Sequence, residues 1–144
     1  MKNNRQVGTH GELEVAARMS RLGFSISLPI GEEPYDLIAE KDGRCIRVQV
    51  KTANINKGGS YRVCLCFGNG VARHYSSAEC DAVVMYAPYS VDFEGIHNDG
   101  FYVIPIKDIE RRKKYHATIF PAGMGKGNSR SCDWEKHRDA WSTI

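Results

Sequence analysis

Apolar positions along the chain change period several times, and each change marks an element. Between Gly8 and Leu22, Leu13, Ala16, Ala17 and Leu22 recur at roughly helical spacing, with Thr9 placed to cap the start and Gly23 to stop the helix. Phe24-Ser25-Ile26-Ser27-Leu28 alternates apolar and polar, the pattern of a strand. Pro29 to Pro34 predicts a loop and Tyr35 to Glu40 a second strand. Lys41-Asp42-Gly43-Arg44 predicts a hairpin turn, because Asp-Gly supplies the positive φ that tight hairpins require. Cys45 to Thr52 then predicts a third strand, with Ile46, Val48 and Val50 on one face and Arg47, Gln49 and Lys51 on the other.

Gly58-Gly59 is expected to turn the chain into a strand from Tyr61 to Phe67. Ser76 or Ser77 is placed to cap one short helical turn. Asp81 to Tyr86 predicts a buried, central strand. Phe101 to Pro105 predicts a strand at an edge or strand end, because proline cannot donate to a ladder. Lys107 to Lys114 predicts a short helix, Ala122 to Ser131 a glycine-rich loop, and Asp133 to Trp141 a terminal helix. On that helix Trp134 and Trp141 would share one face and pack into the core. Helix, three-stranded meander, further strands and short helices predict a single domain, 1–144, of α/β or α+β class with a mixed sheet.

Composition narrows the classes. A chain of 144 residues with 42% hydrophobic content suits one ordinary core. No apolar run approaches the ~20 residues of a membrane span. The basic N-terminal residues have no apolar stretch behind them, so no secretory signal and a cytoplasmic location are expected. Five cysteines, an odd number without framework spacing, argue against a disulfide scaffold. Cys64 and Cys66 lack a finger or ribbon spacing and are expected to point the same way on a strand as small core residues. The five histidines show no ligand spacing. Net charge is only +3 and the pI about 8.6, but the distribution is uneven. Arg111-Arg112-Lys113-Lys114 is a basic block, followed by Lys126, Arg130, Lys136 and Arg138. Glu32, Glu33, Asp36 and Glu40 fall in a stretch without Lys or Arg. Such a chain can hold a cation and a polyanion together, the alternative being a solvated surface of mixed charge.

Polar residues at strand positions carry the candidate chemistry. Asp36 opens the second predicted strand, and Gln49 and Lys51 project from one face of the third. The Asp-Gly turn makes these strands antiparallel neighbours and brings Asp36 alongside Gln49 and Lys51. Glu12 lies on the first helix, which must pack on the sheet. Taken singly, Asp36 reads as a turn cap and Lys51 as an exposed strand lysine; together they read as a site. A phosphodiester resists hydrolysis because nucleophile and target are both negative, and Mg2+ relieves this while preferring oxygen ligands. Asp36 is the expected primary ligand, with the Gln49 and Val50 carbonyl oxygens and the Glu12 carboxylate completing the set. Lys51 is expected to favour hydroxide and offset charge developing on phosphate.

Pro34-Tyr35-Asp36, twelve residues, then Gln49-Val50-Lys51 resembles the core motif of the PD-(D/E)XK nuclease superfamily. Gly8 to Ala16 resembles the helix that supplies the additional Glu of that superfamily. Gly23-Phe24, Leu28-Pro29-Ile30-Gly31, Tyr35-Asp36-Leu37-Ile38 and Val48-Gln49-Val50-Lys51-Thr52 are similar to the branch containing small intron-encoded homing endonucleases. They are more loosely similar to archaeal-type Holliday junction resolvases. Gln49 stands where the motif usually has an acid, which lowers the site's negative charge; the homing branch is compatible with Gln there, whereas resolvases usually carry Glu. The resemblance implies a restriction-endonuclease-like core, a mixed central sheet flanked by helices. It implies a Mg2+-dependent endonuclease, with Mn2+ able to substitute, acting on double-stranded DNA. Arg111, Arg112, Lys113, Lys114, Lys126 and Arg130 are the candidate DNA contacts. Junction resolution, or a catalytically inactive DNA-binding module of the same fold, is the alternative. Cutting two strands from one site per chain implies a homo-oligomer, dimer or tetramer, with Tyr86 to Phe93 and Trp134 to Trp141 as the expected interface.

Overall fold

The computed structural model describes residues 3–55, 60–67, 71–91, 97–119 and 132–144. Helix α1 (Asn4–Arg21) is followed by strands β1 (Ser25–Ser27), β2 (Leu37–Lys41), β3 (Arg44–Thr52), β4 (Asn54–Ile55), β5 (Tyr61–Cys64), β6 (Cys66–Phe67), β7 (Arg73–His74), β8 (Ala82–Val91) and β9 (His97–Pro105). Helix α2 (Ile106–Arg112), strand β10 (His116–Ile119), helix α3 (Cys132–Glu135) and a 3-10 turn (Trp141–Thr143) complete the chain. No helix among the described residues is long and apolar enough to cross a membrane.

The central sheet has the order β1-β2-β3-β8-β9. The predicted meander β1-β2-β3 is antiparallel throughout, β3 and β8 run parallel, and β8 and β9 antiparallel, so the sheet is mixed. Alternation along β3, β8 and β9 divides the interior in two. Ile46, Val48, Val50, Val84, Tyr86, Phe101 and Val103 face α1, where Val15 and Met19 meet them. Val83, Met85, Tyr102 and Ile104 face a three-stranded sheet, β10-β5-β4, and α2. The hairpin forms as expected, with Asp42 at φ 53° and Gly43 at φ 75°. β9 is an edge, as expected, and β8 is buried between β3 and β9, with β3 rather than β8 at the centre of the sheet.

Several expectations are corrected. The first helix begins at Asn4, not Gly8, because Asn3 and Gln6 form a reciprocal capping box. Its buried stripe is Gly11, Val15 and Met19 at i, i+4 spacing, while Leu13 is 62% exposed. The strand expected over Tyr61–Phe67 breaks at Leu65, and Cys64 is exposed rather than in the core. The terminal helix stops after Glu135, where the chain turns and joins β9: the Val103 N–H donates to the His137 carbonyl at 2.8 Å and Arg138 bridges to Tyr102. Trp134 and Trp141 are both buried, as expected, but in opposite cores. Of the segments expected at an interface, Tyr86, Trp134 and Trp141 are buried within this chain, and residues 92–93 lie outside the described residues. The glycine-rich loop, with Lys126 and Arg130, lies outside the described residues.

Candidate active site

The site forms where β2 ends and β3 runs on. Leu37 is the last β2 residue paired across the hairpin, opposite Val48, and the Asp36 N–H still donates to the Val48 carbonyl at 2.9 Å. Beyond it the next stretch of β3 pairs only on its other edge, with Gln49 opposite Val83 and Lys51 opposite Met85 of β8. The freed edge of β3 therefore offers main-chain groups to the Asp36 side chain. Asp36 Oδ2 accepts from the Val50 N–H at 2.8 Å and from Gln49 Nε2 at 2.6 Å. The same Nε2 donates to the Val50 carbonyl at 3.1 Å. One carboxylate oxygen and one carbonyl oxygen thus converge on a single point, held by an amide N–H2 facing two acceptors.

Electrostatics follow from this packing. Burial pushes the Asp36 carboxyl above its ordinary value, although the Val50 N–H and the Lys51 charge pull the other way. Glu12 is also raised, first by burial and then by the charge of Asp36. The two carboxylates are therefore close enough to couple, though they arise from α1 and from the strand beneath it. Gly11 makes this approach possible: a Cβ there would collide with Thr52 Oγ1 and lie 3.2 Å from Thr52 Cβ and 3.5 Å from Tyr86 Cδ1. Without a side chain at that position, α1 settles against β3 and β8 and carries Glu12 to the open end of β2.

Lys51 extends on the face opposite α1. Its Nζ lies 5.2 Å from the centroid of the buried Tyr75 ring, which stacks on Phe67 at 4.9 Å. Burial raises the Tyr75 hydroxyl, and the Lys51 ammonium beside it opposes that rise. Tyr75 was not legible as a site residue in the sequence, where no motif marks it. Glu12, Asp36, Gln49, Val50 and Lys51 gather at one place; the basic block does not join them as a unit. Arg111 pairs with Asp108 at 3.1 Å and Arg112 stacks over Trp134 at 4.5 Å, while Lys113, at the left-handed helix cap, and Lys114 are exposed.

The donor set fits a hard divalent ion. Among the described residues no group of three or more His, Cys, Asp or Glu side chains is placed to hold a metal. The oxygens on hand are two carboxylates, a side-chain amide and a main-chain carbonyl, the types that Mg2+ accepts. Two raised carboxyls, one feeling the charge of the other, also form a place where added positive charge is favourable.

Comparisons with known proteins bear on the fold and the family. None of the curated proteins matches the sequence. Among solved structures, the bacterial homing endonuclease I-Ssp6803I superposes with a TM-score of 0.76 at 21% identity, over 99% of this chain and 93% of that one. That similarity establishes a shared fold. A family model described as PD-(D/E)XK endonuclease matches residues 2–137, nearly the whole chain. The matched span contains the helix with Glu12, the Asp36 hairpin and the Gln49–Lys51 strand, and the chain belongs to the PD-(D/E)XK endonuclease family.

Proposed function

We propose that the chain is a divalent-metal-dependent endonuclease that hydrolyses phosphodiester bonds in double-stranded DNA and is of the homing type. The observation that carries this reading is the convergence of Asp36 Oδ2 and the Val50 carbonyl on one point, within 2.6 and 3.1 Å of Gln49 Nε2. Asp36 and Val50 would hold the ion, with Glu12 adding a second carboxylate. Turning the Gln49 amide over presents Oε1 instead of Nε2 to the same gap, so a neutral side chain can serve the site with or without the ion. A bound divalent ion supplies Lewis acidity, drawing charge from the phosphate and easing deprotonation of water. Lys51, steadied against the Tyr75 face, hydrogen-bonds the attacking water and offsets charge that grows on the phosphate in the transition state.

The homing reading over a junction resolvase is supported by Gln49 in place of the usual acid and by the name of the structural neighbour. Two strands and one site per chain favour a homo-oligomer, dimer or tetramer, and the exposed Lys113 and Lys114 with Arg111 are the described candidates for phosphate contact. Supercoiled plasmid and a four-way junction, each incubated with Mg2+ and with EDTA, test the reading. Mg2+-dependent linearisation of plasmid is expected. Cleavage confined to the junction would make the protein a resolvase, and binding without turnover in any divalent ion would make it a DNA-binding module.

A further inference from the structure

Cys64 closes β5 and Cys66 opens β6, with Leu65 in neither strand. Leu65 is fully buried; its N–H donates to the Tyr115 carbonyl at 2.7 Å, and its carbonyl accepts from the Tyr75 N–H at 3.4 Å. The chain changes ladders at this residue: Cys64 stands opposite His116 of β10, Cys66 opposite His74 of β7. In an unbroken strand, residues two apart lie about 6.6–6.8 Å from one another, at the far limit of what a disulfide spans. The corner at Leu65 removes that obstacle, and the two Sγ atoms are 2.8 Å apart. Cys64 is exposed and Cys66 partly so, and both are free thiols.

Exposure distinguishes the two sulfurs. Cys64 Sγ lies 3.4 Å from the Cys66 carbonyl and 2.8 Å from Cys66 Sγ, and either sulfur can donate to the other. Hydrogen bonding to Cys64 raises the Cys66 thiol, and Cys64, the more exposed sulfur, is the one a small disulfide reaches first. Among the described residues, no group of three metal-ligating side chains surrounds the pair.

We infer that Cys64 and Cys66 form a reactive dithiol site for low-molecular-weight disulfides, closing reversibly to a protein disulfide. Cys64, as thiolate, attacks one sulfur of RS–SR; that S–S bond breaks, and RS− leaves and is protonated to RSH. Cys66, on losing its proton, attacks the Cys64 sulfur of the mixed disulfide and releases a second RSH. The two thiols are oxidised by two electrons, and the small disulfide is reduced to two thiols. The closed corner lies beside the candidate nuclease site: Phe67, next to Cys66, stacks on Tyr75, which carries Lys51, and the Lys51 charge is felt at Cys66.

The test uses the full chain, excess oxidised glutathione, and peptide mapping by mass spectrometry. Cys45, an exposed thiol, is the internal reference, since it can only retain glutathione, whereas Cys80 is buried, with its thiol pushed up to about 12. The expected result is a 64–66 segment lacking two hydrogens and carrying no glutathione, restored by dithiothreitol, beside glutathionylated Cys45. Cys66→Ser should then trap glutathione on Cys64. Stable glutathione on Cys64 of the unaltered protein would overturn the inference, as would unreacted Cys64 and Cys66 in a sample whose Cys45 is fully labelled. The readout is on sulfur, so it stands apart from whether the protein cleaves DNA.

Discussion

Gln49→Glu restores the acid that the motif usually carries, and the structure gives its cost. The Gln49 amide now donates to Asp36 Oδ2 at 2.6 Å and to the Val50 carbonyl at 3.1 Å. A carboxylate there replaces the shared donor by an oxygen facing two others. Two unit charges about 4 Å apart repel by about 4 kcal/mol at an effective dielectric of about 20. That corresponds to about three pKa units at 1.36 kcal/mol each, so one member of the pair takes up a proton. The penalty at pH 7 is then capped near the cost of protonating a glutamate of ordinary pKa about 4.3, again about 4 kcal/mol. A domain of this size loses about 2–4 °C per kcal/mol, which gives roughly a 10 °C lower Tm in EDTA. The raised folded pKa means that the deficit is largest at neutral pH and fades as pH falls toward the ordinary carboxylate range. Mg2+ supplies the missing charge, so its stabilising shift should be larger for Gln49→Glu than for the unaltered protein. Thermal unfolding in EDTA and in Mg2+ between pH 5 and 8 measures both effects. A variant that melts with the unaltered protein in EDTA at pH 7, with no larger response to Mg2+, would refute the geometry.

Lys51→Ala should lower the cleavage rate by about a hundredfold or more, the scale of a lost proton-transfer or charge-stabilising group, while duplex affinity in a filter-binding assay stays within about threefold. Tyr75→Leu should slow cleavage by about tenfold, through loss of a cation–π contact of about 1–2 kcal/mol; Tyr75→Phe, which keeps the ring, should stay within a few fold in the same single-turnover assay. Gly11→Ala forces α1 away from Thr52 and should cost about 1–3 kcal/mol in denaturant unfolding, with loss of activity because Glu12 moves with the helix. Asp36→Asn should abolish cleavage yet raise the Tm in EDTA at pH 7. The Asp36 pKa is raised on folding, so its contribution to stability is full below the ordinary carboxylate range and lost as pH rises through the folded value. The gain on substitution should therefore shrink toward pH 4.

The hairpin, the three-stranded meander and the buried β8 were legible because each has a local cause: Asp42-Gly43 tolerates positive φ, and Ile46, Val48 and Val50 alternate with polar neighbours. The helix start was missed because Asn3 and Gln6 form a polar cap that apolar periodicity does not register. β10 was missed because His116-Ala117-Thr118-Ile119 is short and gains its strand character by pairing with β5. The terminal helix was overextended because residues 136–138 leave the helix to pair with β9, the His137 carbonyl accepting from the Val103 N–H at 2.8 Å and Arg138 bridging to Tyr102, a tertiary pairing that local pattern does not encode. In the site, Asp36, Gln49 and Lys51 could be read together because one turn fixes their register. Tyr75 comes beside Lys51 only through the packing of a distant segment, which no local pattern encodes.

The central claim is that the open end of β2 binds a divalent ion. Anomalous diffraction from crystals of the protein grown with Mn2+ tests it most directly. The account predicts an anomalous peak bounded by the Asp36 carboxylate and the Val50 carbonyl, on the side of Glu12, and its absence in Asp36→Ala. An ordered Mn2+ elsewhere with this opening empty, or a peak that persists in Asp36→Ala, would contradict it.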